Sequence, residues 1–194
     1  MFSMFSNCAS LTSINLSGLS TTNNIYFDYM FSGCSNLKEL NINHFNTQKA
    51  ESMKGMFRQA KSLTSLNLYS FNTRNVGSME GMFEGCTSLT YLNLDSFEGN
   101  EASSISYMFE DCISLTSINL PKFKTSNLRT MMRAFNNCTS LQYLSIPLLD
   151  TSGIYNYNNL FKNCKSLTSL ALPSFNTDTI MSFSGMFYGC SKLT

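Results

Sequence analysis

Apolar side chains recur along this chain on a fixed step. Phenylalanine stands at Phe5, Phe31, Phe57, Phe83, Phe109, Phe135, Phe161 and Phe187, and every interval is 26 residues. Cysteine keeps the same step at Cys8, Cys34, Cys86, Cys112, Cys138, Cys164 and Cys190, with Ala60 in the remaining place. Leucine follows three residues later, from Leu11 and Leu37 through to Leu193. No insertion breaks the phase, and the 194 residues hold seven whole repeats and 12 residues more. A fixed period of about 20–50 residues marks units that cannot bury an apolar face alone and therefore stack.

Each repeat divides by its own short periods. In the third, Leu66 and Leu68 alternate with Ser65, Asn67 and Tyr69, a period of two that predicts a strand. Each repeat makes one full circuit, so successive strands run the same way, on rungs about 4.8 Å apart. Pro121, Pro147 and Pro173 share one column. Proline has no N–H for a ladder, so that column marks the strand margin. An inward corner follows at Leu19, Phe45, Phe71, Phe97, Phe123, Leu149 and Phe175. Thr comes two residues later in six of seven repeats: Thr21, Thr47, Thr73, Thr125, Thr151 and Thr177. Such a Thr can cap a helix. Val76, Met79, Met82, Phe83 and Cys86 then fall at helical spacing. The residue before the Cys column is Gly, Asn or Asp in seven of eight repeats, types that tolerate positive φ and end a helix.

These elements predict an α/β leucine-rich-repeat solenoid, with parallel strands on the concave face and short helices on the convex face. Residues 1–194 read as a single array of about seven and a half repeats, a fragment of a longer solenoid. Repeat arrays need polar caps, and none is visible at either end, so flanking repeats or partner chains are expected there.

The pattern M-x-x-M-F-x-x-C-x-x-L-x-x-L-x-L-x-x-F-x-T resembles the 26-residue repeat of the BspA-like leucine-rich repeat family. One copy supplies Met79, Met82, Phe83, Cys86, Leu89, Leu92, Leu94 and Phe97, with Gly99 where the pattern has Thr. Further departures are Ala60 for Cys, and Ala134 and Leu160 for the second Met. The resemblance implies a cell-surface or secreted protein, some of whose relatives act as adhesins. It says little about the ligand.

Composition narrows the chemistry. Lys and Arg number 13, Asp and Glu 12, and the net charge of +1 excludes strong electrostatic capture of nucleic acid. No run reaches the ~18 apolar residues that a membrane span needs, so no direct membrane insertion is expected in this segment. The opening MFSMFSNC carries no signal-peptide pattern. Cysteines on a 26-residue step, odd in number, read as buried structural thiols rather than disulfide partners or metal ligands. The 12 Met read as core filler, and His44 as a polar corner residue. Neighbouring repeats carry opposite charges at Asp28, Lys54 and Glu80, and at Arg58 and Glu84, which predicts exposed pairs between rungs. Lys49, Lys54, Arg58 and Lys61 form the densest basic cluster and read as a solvated face. Of two sequons, Asn15-Leu16-Ser17 and Asn137-Cys138-Thr139, the second holds an inward Cys. No triad, carboxylate pair, phosphate loop or metal cluster stands out, so the expectation is a non-enzymatic protein with no cofactor and no metal.

Function is then expected on the outward strand positions. Asn15, Asn41, Asn67, Asn93 and Asn119 form a column that stacked amides could hold as a structural ladder. The flanking columns vary more and supply the candidate binding residues Glu39, Tyr91 and Tyr143 on one side, Tyr69 and Asp95 on the other. Tyrosine suits an interface because it buries much area with little entropy to lose. The expected role is a protein-interaction or adhesion module that binds a protein or glycan on the concave face. The alternative is a scaffold subunit whose uncapped ends dock on other chains.

Overall fold

The computed structural model describes residues 1–171 and 180–194. Pro173, Phe175 and Thr177 lie outside the described residues. Successive 26-residue coils lie over one another. Four short strands line one side: β1 (Ser65–Asn67), β2 (Tyr91–Asn93), β3 (Ser117–Asn119) and β4 (Tyr143–Ser145). β1 pairs with β2 and β3 with β4, both parallel and in register, Ser65 beside Tyr91 and Ser117 beside Tyr143. Pro121 and Pro147 stand two residues past the ends of β3 and β4, the margin expected of them. On the other side a chain of parallel bridges joins Tyr26, Ser52, Ser78, Ser104, Thr130, Asn156 and Ser182.

The core is a set of rows running along the stack. The eight column phenylalanines form one ladder, with adjacent ring centroids 5.4–5.9 Å apart and planes within 13° of parallel. Phe31 through Phe161 are fully buried. The corner residues Phe45, Phe71, Phe97, Phe123 and Leu149 are buried as expected, as are Met53, Met79 and Met131.

The predicted convex helices do not form: no described residue is helical. A helix is too wide to stack at the pitch that the phenyl ladder sets. The backbone instead takes positive φ at two columns four residues apart. One is the expected position before Cys, with Asn7, Gly33, Gln59, Gly85, Asp111, Asn137, Asn163 and Gly189 all left-handed. The other is Ser3, Tyr29, Gly55, Gly81, Tyr107, Arg133, Asn159 and Gly185. A left-handed residue every turn breaks the i→i−4 ladder. Alternate N–H groups reach across to the next coil, from Met53 to the Ser78 carbonyl, Gly55 to Glu80, Phe57 to Met82 and Gln59 to Glu84. Those between close i→i−3 turns, Met56 to Met53, Arg58 to Gly55 and Ala60 to Phe57. The segment thus satisfies its backbone with tight turns and inter-coil bonds.

The Thr column is likewise no helix cap. Thr47 Oγ1 donates to the Asn72 carbonyl at 3.0 Å and accepts the Asn72 N–H at 2.7 Å. Thr21, Thr73 and Thr125 do the same to Asn46, Glu98 and Asp150. At Gly99 a Cβ would meet the Lys124 carbonyl oxygen at 2.5 Å, so no Thr fits there.

The cysteines are all free thiols, as the repeat argued. Each buried one also has a hydrogen bond. Cys86 Sγ donates to the Phe57 carbonyl at 3.1 Å and Cys138 Sγ to the Phe109 carbonyl at 3.1 Å. These carbonyls already accept an N–H from their own coil, so the thiol takes the second lone pair. Burial pushes the Cys86 and Cys164 thiols up to about 12 and Cys34 to about 11.

Charges fall partly where expected. Lys54 pairs with Glu80 at 3.1 Å and Arg58 with Glu84 at 2.8 Å, but Lys54, Glu80 and Glu84 are half-buried rather than exposed as expected, and such solvent-reached pairs are worth about 1 kcal/mol at most. The Asp28 carboxylate turns instead to the Lys54 N–H and the Ser52 hydroxyl. Lys49 Nζ holds Asn23 Oδ1 at 2.8 Å, so three of the four residues in the basic cluster are engaged coil to coil.

Two outcomes follow. Phe109→Ala removes the middle of the ladder and should cost about 3–5 kcal/mol in urea unfolding, whereas an outward Ser117→Ala should stay within about 0.5 kcal/mol. In thiol titration of native protein, Cys8 should react first and Cys190 more slowly. Cys34, Cys86, Cys112, Cys138 and Cys164 should stay silent until denaturant exposes them. Reaction of more than two thiols before unfolding would contradict the buried rows.

Candidate functional site

The strand pleat sorts the residues of this face. Leu66, Ile118 and Leu144 point into the core, while Ser65, Asn67, Tyr91, Ser117, Asn119 and Tyr143 face outward. All five predicted binding residues are exposed. Tyr69, Tyr91 and Tyr143 are 58%, 57% and 58% exposed, in a molecule whose other aromatic rings are mostly fully buried. Tyr91 and Tyr143 open β2 and β4, so they occupy one column two coils apart, with Ser117 between. Tyr69 and Asp95 share the opposite margin on consecutive coils. Glu39 edges a shallow depression of about 220 Å³ with Leu40, Asn41, Asn43, Ser65 and Asn67. The five residues therefore share one face but are not drawn into one pocket.

The expected amide ladder between rungs is replaced by local bonds. Asn15 Oδ1 accepts the Ser17 N–H at 3.0 Å, Asn41 that of Asn43 at 3.2 Å, Asn67 that of Tyr69 at 3.2 Å and Asn93 that of Asp95 at 3.0 Å. Each Asn turns the chain out of its own strand position. The column's composition follows from this. Where the residue two ahead is Pro147 or Pro173, which has no N–H, Ser145 and Ala171 replace Asn. Asn119 before Pro121 is the exception.

Two features went unread in the sequence. One is an apolar depression of about 250 Å³ formed by Tyr143, Leu144, Ser145, Ile146, Pro147, Ser169 and Ala171. Beside it Leu148 is 45% exposed. Its signal was available: Leu148 stands in a column otherwise filled by Gly18, His44, Ser70, Ser96, Lys122 and Ser174. The other is a broad open depression of about 700 Å³, lined by Ile25, Gln48, Lys49, Glu51, Asn75, Gly77 and Glu101. It is contributed by residues before the bridge column, where periodicity gives no warning.

Electrostatics elsewhere are structural. Glu110 is buried, bonded to Arg133 at 2.8 Å and to Asn136 at 2.9 Å, and desolvation raises its carboxyl above the usual range despite both partners. His44 is exposed, with Nε2 2.9 Å from the Leu16 carbonyl and its ring edge-on to Phe45, a corner role. Among the described residues no group of three His, Cys, Asp or Glu could hold a metal ion, and no helix is long and apolar enough to cross a membrane.

Comparison places this architecture. Residues 1–118 and 103–194 match the family model described as "Mycoplasma protein of unknown function, DUF285". No curated protein matches. A leucine-rich repeat protein from Eubacterium ventriosum is 26% identical over 84% of this chain and 40% of that one, with a TM-score of 0.57. A leucine-rich repeat protein from Bacteroides ovatus is 20% identical over 100% of this chain and 62% of that one, with a TM-score of 0.50. The chain thus spans less than two thirds of either solved relative. The chain belongs to the family described as Mycoplasma protein of unknown function, DUF285, and is built as a BspA-like leucine-rich repeat protein.

Proposed function

We propose that this chain is a non-enzymatic interaction module of a surface-exposed or secreted protein, and that it binds its partner through the strand face, the concave side of a solenoid. The observation that carries this reading is the exposure of Tyr69, Tyr91 and Tyr143 on one face. Equivalent positions on other coils hold Ser or Glu in the column of Tyr91 and Tyr143, and Ser, Asn, Asp or Pro in that of Tyr69, so the tyrosines answer to no packing need of the repeat. Seven coils with about three outward strand residues each offer about the 20–30 residues per side of a standard interface. Leucine-rich repeats expose such faces because the repeated core leaves these positions free to vary.

A second reading rests on the two ends of the stack. Phe2 is 66% exposed in the first coil, and Met181 and Tyr188 are 81% and 69% exposed in the last. Further coils or a partner chain would cover them, and residues 1–194 would then be one stretch of a longer array or a subunit docked at both ends.

The first reading is tested by binding of the labelled chain to intact cultured animal cells. Replacing Tyr69, Tyr91 and Tyr143 together by Ser should lower binding at least about thirtyfold, the loss expected when interface anchors are truncated. Circular dichroism and the melting curve should not change. Lys54→Ser with Glu80→Ser, on the opposite side, should bind as wild type. Loss in the Lys54/Glu80 variant with none in the tyrosine variant would move the site off the strand face.

A further inference from the structure

The strand face is periodic, and its period selects a ligand. Asn15, Asn41, Asn67 and Asn93 occupy one column, each with its amide fixed by the same bond from Oδ1 to the N–H two residues ahead. That bond uses the acceptor end. Nδ2 has no protein partner in any of the four, among the described residues. The result is a row of identically held N–H donors on the first four coils, one to each coil step of about 5 Å, whose last member, Asn93, shares a coil with Tyr91, two coils before Tyr143.

Resting on the strand-face reading above, we infer that this face binds a neutral, linear β-1,4-linked glycan lying along the stack axis. Sugars in an extended chain of this kind follow one another on a step close to the coil pitch, and alternate sugars turn the same face to one side. Tyrosines on alternate coils can then stack on alternate pyranose rings. The Asn donors of the first four coils meet hydroxyl oxygens of the sugars leading up to the stacked rings, one coil to one sugar, with Asn93 beside Tyr91.

Other extended polymers fit less well. A peptide strand advances about 3.3 Å per residue, so its side chains return to one face about every 6.6 Å, out of step with the coils. A polyanion would meet Glu39 and Asp95 on this face, with no basic row to hold it.

The experiment is calorimetric titration of the full chain with soluble β-1,4-linked glucose and N-acetylglucosamine oligomers of two to six sugars. Affinity should rise with length up to the hexamer for at least one series. Tyr91→Ser with Tyr143→Ser should weaken hexamer binding about tenfold or more. Asn41→Asp, Asn67→Asp and Asn93→Asp together keep an oxygen to accept the N–H two ahead but remove the donors. They should weaken hexamer binding about tenfold as well, with an unchanged melting curve as the control for folding. Absence of binding by both hexamers, affinity independent of length, or wild-type binding by the triple Asp variant would each overturn the glycan assignment. If the hexamers fail while the tyrosine variant still loses cell binding, the glycan inference falls and the strand-face reading stands. If the tyrosine variant also binds cells normally, both fall.

Discussion

Every coil in this protein must sit on the next at a spacing of about 5 Å without slipping along the chain. A 26-residue coil has no interior of its own. Its inward side chains are covered only when the same side chains of the coils above and below lie directly over them, which is why the phenyl rings stack at 5.4–5.9 Å over the whole length. Nearly all of the specific bonding answers to that need. Backbone N–H groups of the turn segment donate 25 residues ahead, Thr hydroxyls bridge 25 residues ahead, and Cys thiols reach back 29 residues to a Phe carbonyl. Each bond is modest, about 0.5–1.5 kcal/mol net, but each also fixes the register. A slip by one residue would put polar positions into the phenyl row and break all three kinds of bond at once. Cooperativity in a repeat stack of this kind comes from the interfaces between units rather than from the units.

That constraint explains what the sequence made legible. Burial repeats with the coil, so the inward rows, the corner residues, the thiols and the proline margins could all be read from column identity. The left-handed position before Cys could be read too, because Asn, Asp and Gly fill it for a local reason. The turn segment could not. Phe27, Met30, Phe31 and Cys34 are spaced as on one face of a helix, but two consecutive tight turns point the same spacing inward. Periodicity reports which side is buried, not how the backbone gets there. The second left-handed column decides the matter, and it was hidden by Tyr29, Tyr107 and Arg133, types that rarely take positive φ. Tyr29 there lies over Gly55 of the next coil, where a Cβ would come within 2.5 Å of the ring. Thr and Asn were misassigned for a related reason. A short polar side chain can bond along its own coil or across to the next, and column identity is the same for both. The structure sends Thr across and Asn along.

The candidate face was legible only as a location. Column arithmetic brought Glu39, Tyr69, Tyr91, Asp95 and Tyr143 to the outward side of the strands, and the coordinates keep them there. Their division into two margins was legible as well, because Glu39, Tyr91 and Tyr143 fill one column and Tyr69 and Asp95 another, and the in-register strands keep those columns apart. The apolar patch around Leu148 shows the complementary lesson. A departure from a polar column is visible in the sequence, yet whether it faces solvent depends on where the strand ends.

The same pitch that builds the core also rules the outer surface. An outward residue has no say in its spacing, because the phenyl and backbone rows beneath have already set it. A stack of identical coils therefore presents a surface with a built-in unit length, and chemistry can vary along it without costing stability. Tyr69 and Tyr91 use that freedom on consecutive coils and Tyr143 two coils further on, while the asparagines keep every coil of the first five. A ligand of irregular shape meets such a face through the residues that vary between coils rather than through the repeat itself. A polymer whose own repeat matches the coil gains one equivalent set of bonds with each added unit. Affinity that accumulates along the stack axis is the recognition mode that the proposed glycan reading uses, with the amide donors and the exposed rings held on the strand face by the coils beneath them.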